Sequence, residues 1–250
     1  MAIDCASRSE TGPVRKKNED SFLALPEAGL FAVCDGMGGH RGGQTASRTA
    51  ARQLADFLTG AQRTTSERGV PPDESDDLER LVEAAVLSAH ERILDTARSH
   101  PDLAGMGTTC TMTLVAPDRR VVMGHVGDSR LYLLRDDRVR QVSEDHSLVN
   151  ELLKSGTITA SEAIDHPQSN IITQALGVTP TPRVELRTTA TRPGDTFLLC
   201  SDGLSHYYPD PADLAAAMRH DDLQRGVDQL VHKALAAGGR DNITAVLFRV

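Results

Sequence analysis

Four times along this chain, an apolar run typical of a buried β-strand meets an aspartate beside a small or turn-forming residue. The four aspartates are Asp35, Asp128, Asp202 and Asp241. Three of them follow their strand candidate and Asp241 precedes one, while a further acidic pair, Glu19-Asp20, precedes a strand candidate at residues 21–25. Because neighbouring strands end at a common edge of a sheet, this pattern predicts a strand-rich fold that gathers carboxylates at one edge.

Carboxylates gathered in this way repel one another unless a cation neutralises them. Hard divalent cations prefer oxygen ligands, and an all-oxygen set favours Mg²⁺ or Mn²⁺ over Zn²⁺. The glycine after Asp35 and the one after Asp202 let the backbone turn and expose a carbonyl oxygen as a further ligand. A single Asp-Gly pair is more often a simple turn, but the four aspartates together indicate a metal site.

The remaining pattern predicts a mixed α+β fold. Apolar residues at helical spacing predict one helix from about residue 46 and another over 78–98, separated by a polar loop at about 62–77. Short strands at 108–115, 121–126, 130–134 and 138–142 favour antiparallel pairing, with a hairpin turn at Asp136-Asp137. Helices grouped between such strands indicate layered packing.

Charge, cysteine content and hydropathy exclude several classes of protein. With 27 basic and 35 acidic residues the net charge is −8, which argues against nucleic-acid binding. Four widely spaced cysteines form no CxxC pair and predict reduced thiols. The apolar runs are far shorter than the roughly 20 residues that cross a bilayer, and no signal peptide is predicted. We therefore expect a cytoplasmic protein with no membrane partner.

The motifs of other catalytic classes are missing from the sequence. It has no GxxxxGK[ST] loop, no HExxH helix and no GxSxG elbow. A phosphocysteine route is also excluded, because the chain has no Cys-x5-Arg loop.

Seven short motifs follow one another along the chain. They are Arg15-Lys16-Lys17-Asn18-Glu19-Asp20-Ser21, Val33-Cys34-Asp35-Gly36-Met37-Gly38-Gly39-His40, Gly107-Thr108-Thr109, Val126-Gly127-Asp128-Ser129-Arg130, Asp145-His146-Ser147, Ser201-Asp202-Gly203-Leu204 and Arg240-Asp241-Asn242-Ile243-Thr244. In this order they resemble the metal-dependent protein phosphatases, the protein phosphatase 2C family, and the single-domain form resembles its bacterial branch. Each motif is weak alone, but their order across nearly the whole chain is specific.

The resemblance implies one catalytic domain over residues 1–250, folded as a four-layer α-β-β-α sandwich with two central antiparallel sheets flanked by helices. It implies two core Mn²⁺ or Mg²⁺ ions and, as often in bacterial members, a third. The implied ligands are Asp20, Asp35, the Gly36 carbonyl, Asp128, Asp202 and Asp241, with Asp128 and Asp202 serving the third ion. Glu19 is expected behind the ligands.

By the same resemblance, the chain removes phosphate from phosphoserine and phosphothreonine in proteins, through a water that bridges the metals above Asp35. Arg15 is expected to hold the phosphoryl oxygens through a planar two-donor fork. His40 is the candidate acid for the leaving oxygen, with water orientation or metal ligation as the other interpretation. His166 lies in a flap-like segment at about 147–176, where it either positions substrate or belongs to an ordinary loop.

Two alternatives stay open at this stage. The enzyme acts either on many phosphoproteins, a Ser/Thr protein kinase among them, or on one regulatory protein such as a sigma-factor regulator. The other alternative is a catalytically weak, phosphatase-like regulatory binding module, which the complete set of aspartates disfavours. A monomer is expected.

Overall fold

The computed structural model of the chain describes residues 3–38, 42–68, 75–164 and 166–250. The strands are β1 (Asp4–Glu10), β2 (Ser21–Leu25), β3 (Leu30–Cys34), β4 (Gly36–Met37), β5 (Gly107–Thr108), β6 (Cys110–Val115), β7 (Arg120–Val126), β8 (Arg130–Arg135), β9 (Arg138–Gln141), β10 (Glu185–Ala190), β11 (Thr196–Cys200) and β12 (Ile243–Arg249). The α-helices are α1 (Gly42–Arg68), α2 (Ser75–Ser99), α3 (Leu148–Lys154), α4 (Ala160–Ile164), α5 (Asp202–Ser205), α6 (Ala215–Met218) and α7 (Leu223–Ala236).

Ten of these strands form two five-stranded antiparallel sheets. The first sheet has the order β1-β12-β11-β8-β9, and the second has the order β10-β7-β6-β3-β2. The short strands β4 and β5 pair separately.

The two sheets pack face to face on an aromatic and aliphatic core. Phe248 of the first sheet stacks on Phe31 of the second, with ring centroids 4.2 Å apart, and also on Phe197 at 5.0 Å. On the outer faces, α1 and α2 cover the second sheet, while α5, α6 and α7 cover the first. The predicted four-layer α-β-β-α sandwich is confirmed.

Strand β3 shows why a central strand of this fold is apolar throughout. Phe31 and Val33 face the other sheet, whereas Leu30, Ala32 and Cys34 face the helices, and all five are fully buried. A strand buried on both faces reads as a continuous apolar run rather than an alternating one. Each large side chain so buried contributes about 1.5–3 kcal/mol.

The predicted hairpin turn between β8 and β9 is confirmed. Asp136 and Asp137 both have positive φ, 49° and 61°, which is the backbone that a two-residue hairpin requires. In contrast, the predicted strand at 108–115 is divided at Thr109, because Gly107 and Thr108 pair with β4 instead of continuing β6.

The predicted polar loop at 62–77 is wrong for the residues that the structure describes. Helix α1 continues to Arg68 and α2 begins at Ser75, and residues 69–74 lie outside the described residues. Gln62, Arg63 and Glu67 have high helix propensity. Polar residues can continue a helix without adding an apolar stripe, so helical periodicity fails to report them.

The strand ends that carry the aspartates meet at one end of the sandwich. In the second sheet Ser21 pairs with Cys34, so Asp20, just before β2, and Asp35, just after β3, lie at the same end of two adjacent strands. In the first sheet Cys200 pairs with Ala245, which brings the end of β11 beside the start of β12. No helix among the described residues is long and apolar enough to cross a membrane.

Candidate metal centre

Asp20 joins the two sheets at this end of the sandwich. Its Oδ2 accepts hydrogen bonds from Ser201 Oγ at 2.8 Å and Thr244 Oγ1 at 2.6 Å, both from the opposite sheet. Its Oδ1 is buried and has no hydrogen-bond partner in the part of the chain that the structure describes. Burial raises the pKa of Asp20 to about 7, and the carboxylates of Asp202 and Asp241 add to the increase, whereas the two hydroxyl donors oppose it.

Asp35 has a firmly held backbone. Its N–H donates to Thr109 Oγ1 at 2.9 Å, and its carbonyl accepts from the Thr109 N–H and the Thr108 Oγ1, both at 2.8 Å. These bonds occupy the main chain and leave the carboxylate to face its neighbours. The sequence alone predicts no role in the site for Thr108 or Thr109.

The Asp35 carboxyl group lies among the other aspartates. Burial raises the pKa of Asp35 well above its usual range, and the carboxylates of Asp20, Asp202 and Asp128 raise it further. The Asp35 and Asp202 carboxyl groups lie within hydrogen-bond reach of each other. Two carboxylates this close repel each other unless a proton or a cation neutralises their charge.

Asp202 begins α5 directly after β11 and contributes a second unpaired oxygen. Its Oδ1 is buried and finds no hydrogen-bond partner within the described ranges. Burial raises the pKa of Asp202, and the Asp241 carboxylate adds to the increase. The next residue must be glycine, because a Cβ on Gly203 would lie 1.9 Å from the carbonyl oxygen of Asn242. This close approach of the two backbones brings Asp202 beside Asp241.

Gly36 is constrained in the same way. A Cβ at this position would lie 2.1 Å from the Gly43 carbonyl oxygen and 2.6 Å from that of Glu19. From the sequence, Gly36 is predicted to let the backbone turn after Asp35. The structure adds that three backbone segments converge on it and that no larger residue fits.

Asp128 follows β7 and also faces the cluster. Burial raises its pKa well above the usual range, and the carboxylates of Asp202 and Asp145 add to the increase, whereas the Arg130 guanidinium opposes it. The electrostatic contacts thus connect Asp128 to Asp35 and Asp202. The predicted convergence of the strand-end aspartates is present in the structure.

Arg15 lies at the rim of the centre. Its Nη2 donates to Asp241 Oδ2 at 2.5 Å, and the guanidinium-bearing side chain remains 52% exposed. Asp241 also accepts the Asn242 N–H on Oδ1 at 2.8 Å. The predicted phosphate-binding arginine is therefore both near the aspartates and open to solvent.

Asn242 organises the loop that precedes Asp20. Its Oδ1 accepts the N–H of Glu19, and its Nδ2 donates to the carbonyl oxygens of Thr11 and Lys17. This side chain connects residues near the start of the chain to the segment just before β12, which includes Asp241. The backbone of Glu19 is also held by Ser47 Oγ, which donates to the Glu19 carbonyl oxygen at 2.5 Å, and the expected position of Glu19 behind the ligands stays a prediction.

The structure describes only one of the two histidines predicted for the site. His40 lies outside the described residues. His166 makes a local bond, in which its Nδ1 accepts the N–H of Gln168 at 3.2 Å. That contact is typical of a turn, and the substrate-positioning interpretation of His166 stays a prediction.

The donor set fits divalent cations. Two buried carboxylate oxygens, on Asp20 and Asp202, have no hydrogen-bond partner among the described residues, and burial without compensation is costly for such groups. The surrounding donors are oxygens, which suit Mg²⁺ or Mn²⁺. Cations at these positions would supply the missing partners and the missing positive charge.

Comparison with known proteins agrees with this chemistry. The family model described as protein phosphatase 2C matches residues 14–245. The serine/threonine phosphatase stp of Listeria innocua is 37% identical over 243 residues, which cover 96% of this chain and 93% of that protein.

Two solved structures are also similar. The Mycobacterium tuberculosis serine/threonine phosphatase PstP/Ppp superposes with a TM-score of 0.87 at 37% identity, covering 100% of this chain and 99% of that one. The catalytic domain of PstP in complex with two manganese ions superposes with a TM-score of 0.84 at 35% identity, covering 99% and 97%. The chain belongs to the protein phosphatase 2C family.

Proposed function

We propose that this chain hydrolyses phosphoserine and phosphothreonine in proteins, with Mn²⁺ or Mg²⁺ as cofactor. The observation that carries the proposal is the buried cluster of aspartates, in which Asp20 and Asp202 each keep an oxygen without a hydrogen-bond partner. The similarity to Ser/Thr phosphatases over nearly the whole chain supports it, as does the relative whose structure contains two manganese ions.

Six residues would hold the ions. In this proposal two core ions are ligated by Asp20, Asp35, the Gly36 carbonyl, Asp202 and Asp241, and a third by Asp128 with Asp202. When bound, the ions would neutralise phosphoryl oxygens and lower the pKa of water, so that hydroxide forms near neutral pH. The protein contributes the positions of these oxygens, which the backbone bonds of Asp35 and the close packing at Gly36 and Gly203 support.

Arg15 would bind the phosphoryl group of the substrate. A guanidinium has five N–H donors in a planar fork, and the bond to Asp241 uses one of them. The exposed position leaves the rest of the fork accessible to an oxyanion at the rim. Because Arg15 contacts a proposed metal ligand, the phosphate it binds would lie directly beside the aspartate cluster.

The remaining roles are also part of the proposal. His40 would donate the proton to the leaving serine or threonine oxygen, or orient water or a metal. His166 would position substrate in the flap-like segment at 147–176, and Glu19 would support the ligands from behind. The whole chain, 1–250, would act as one catalytic domain.

We also propose the chain's setting. The enzyme would be a cytoplasmic monomer whose phosphoprotein substrates include a Ser/Thr protein kinase. Four cysteines that form no disulfide agree with a reducing compartment. The alternative of a binding module without catalysis requires the loss of metal ligands, and Asp20, Asp35, Asp202 and Asp241 are all retained.

The test is hydrolysis of p-nitrophenyl phosphate and of a phosphothreonine peptide with Mn²⁺, before and after EDTA. Asp35→Asn is expected to lower kcat/KM by at least ~100-fold, which corresponds to about 2.7 kcal/mol. Asp136→Asn is the matched control, because Asp136 lies in the β8–β9 turn at the far end of the strand that starts at Arg130, and asparagine tolerates its positive φ. Activity that survives EDTA, or an Asp35→Asn variant as active as the control, would refute the proposal.

A further inference from the structure

The glycine before Asp128 has a backbone conformation that needs support. Gly127 has φ of 113°, a region open to glycine and rarely to other residues. A Cβ at this position would also lie 2.6 Å from the Cβ of Thr109. Because Gly127 sets the direction in which Asp128 leaves β7, whatever fixes Gly127 also fixes the Asp128 carboxylate.

His146 holds Gly127 on both sides. The His146 N–H donates to the Gly127 carbonyl oxygen at 2.7 Å, and the Gly127 N–H donates to His146 Nδ1 at 3.2 Å. Nδ1 accepts only when it carries no proton, so the ring is the neutral tautomer with its proton on Nε2. Burial lowers the pKa of His146, which agrees with a neutral ring.

A second pair of residues holds the other side of Asp128. Arg130 donates from Nε and Nη2 to the Asp145 carboxylate, at 3.0 Å and 2.7 Å. Asp145 directly precedes His146, so these two consecutive residues contact Gly127 and Arg130, which lie on either side of Asp128. The side chain of His146 is therefore one of several contacts that hold the residues on either side of Asp128.

The same residue reaches the flap-like segment. The His146 carbonyl oxygen accepts the N–H of Thr173 at 2.8 Å, and Ser147 pairs with Ile172 as an isolated antiparallel bridge. These are backbone contacts and would survive replacement of the side chain. A substitution at position 146 therefore tests the side chain, which makes the Nδ1 contact and packs its ring against His125 with the centroids 4.9 Å apart.

A different use of this region has to be considered. His125, His146 and Glu185 place possible ligand atoms within 4.8 Å of one another. However, the ring nitrogens of His125 already contact Thr111 Oγ1 and the Glu144 carbonyl. One Glu185 oxygen accepts the Glu144 N–H, and the Nδ1 of His146 is occupied as described. Both His125 nitrogens, the Nδ1 of His146 and a Glu185 oxygen are thus used in hydrogen bonds within the protein, which favours a positioning role over a separate metal site.

We propose that His146 is a positioning residue for Asp128, acting through the Nδ1 contact with the Gly127 N–H, and that its loss weakens the metal site to which Asp128 contributes. The inference rests on the proposed role of Asp128 as a ligand. Removal of groups that orient metal ligands typically costs about 10-fold to 100-fold in metal affinity.

The experiment is titration of the metal-free full chain with Mn²⁺ by isothermal calorimetry. Asp128→Asn identifies the binding step that belongs to Asp128. His146→Leu, which has no acceptor, is expected to weaken that step by about 10-fold to 100-fold and leave the others unchanged. His146→Asn offers an amide oxygen in place of Nδ1 and is expected to stay close to the wild type.

A measurement on the wild type covers the case in which His146→Leu fails to fold. The Gly127 amide should be protected from hydrogen exchange, and the ¹⁵N shifts of His146 should report a neutral ring with unprotonated Nδ1. An unprotected Gly127 amide, or a His146→Leu isotherm equal to that of the wild type, would overturn the inference. If Asp128→Asn leaves every binding step unchanged, Asp128 is no ligand and the inference fails with it, whereas Mn²⁺-dependent wild-type activity would leave the proposed function standing.

Discussion

Arg15 places its Nη2 2.5 Å from the Oδ2 of Asp241, although the two residues are 226 positions apart in the chain. The contact connects the proposed phosphate-binding group to a proposed metal ligand. Asp241 would therefore contact both Arg15 and a metal ion, and its bond to Arg15 fixes the guanidinium at the rim of the site.

The first prediction concerns this arginine. Arg15→Ala removes a charge-assisted donor, and such bonds contribute about 1.5–3 kcal/mol. We expect kcat/KM for a phosphothreonine peptide to fall by at least ~10-fold. Lys16→Ala is the control, because the neighbouring residue is an exposed cation and is expected to leave kcat/KM unchanged. Equal losses in the two variants would mean that only the net positive charge of this loop matters.

The second prediction compares two buried threonine hydroxyls. Thr244 Oγ1 donates to Asp20 at 2.6 Å, whereas the buried Thr113 Oγ1 has no hydrogen-bond partner among the residues that the structure covers. Thr244→Val should leave Asp20 less well solvated and weaken Mn²⁺ binding. Thr113→Val removes an unpaired hydroxyl and should raise the free energy of unfolding by about 1 kcal/mol.

Urea unfolding in EDTA and Mn²⁺ titration of both variants check this comparison. The opposite outcome, a stabilised Thr244→Val with unchanged Mn²⁺ affinity, would contradict a role for Thr244 in supporting Asp20.

The aspartates could be predicted from the sequence because each stands beside an apolar run, and the runs identify the strands. The partners of Asp20 could not be predicted. Ser201 and Thr244 are small polar residues at the end of one strand and within another, and sequence periodicity does not tell which hydroxyl will face a carboxylate on the other sheet. Their role depends on how the two sheets pack, which is a long-range relationship.

One weaker signal in the sequence pointed to a residue that supports the site. Asn242 follows Asp241 directly, and an Asp-Asn pair before a strand is suited to tying a loop through its amide. Thr108 and Thr109 lie where an apparently continuous strand is divided, and nothing local marks the division. The end of α1 and the start of α2 escaped prediction because a run of polar residues carries no apolar periodicity.

The third prediction follows from the raised pKa of Asp20. Its pKa is about 7 in the folded chain, whereas an aspartate side chain fully exposed to water has a pKa of 3.8. Between these values the folded state binds more protons than the unfolded state, so stability decreases as pH rises. In EDTA, the free energy of unfolding should therefore fall between about pH 4 and pH 7, and the raised pKa values of Asp35, Asp128 and Asp202 act in the same direction.

Bound Mn²⁺ should reverse this trend, because a cation favours the ionised carboxylates. The increase in Tm on adding Mn²⁺ is therefore expected to be larger at pH 8 than at pH 5, as measured by thermal unfolding in matched buffers. Asp20→Asn should flatten the pH dependence measured in EDTA. A gain in Tm that is equal at both pH values would show that the aspartates are not what the ion stabilises.

The last prediction concerns two glycines in different surroundings. A Cβ on Gly203 would lie 1.9 Å from the Asn242 carbonyl oxygen. A Cβ on Gly60, within α1, would meet no atom of the described residues within 4 Å beyond its chain neighbours and the local helix backbone. Gly60→Ala should raise the free energy of unfolding by about 0.5–1 kcal/mol, because alanine is the better helix former.

Gly203→Ala must instead separate the Asp202 turn from the start of β12. We expect it to lower the free energy of unfolding by about 1–3 kcal/mol and to weaken Mn²⁺ binding, because Asp202 and Asp241 lie on the two segments that it forces apart. Urea unfolding and calorimetric titration of both variants measure these effects. A Gly203→Ala variant that unfolds like the wild type but binds Mn²⁺ poorly would separate the two consequences and assign the close approach to the metal site alone.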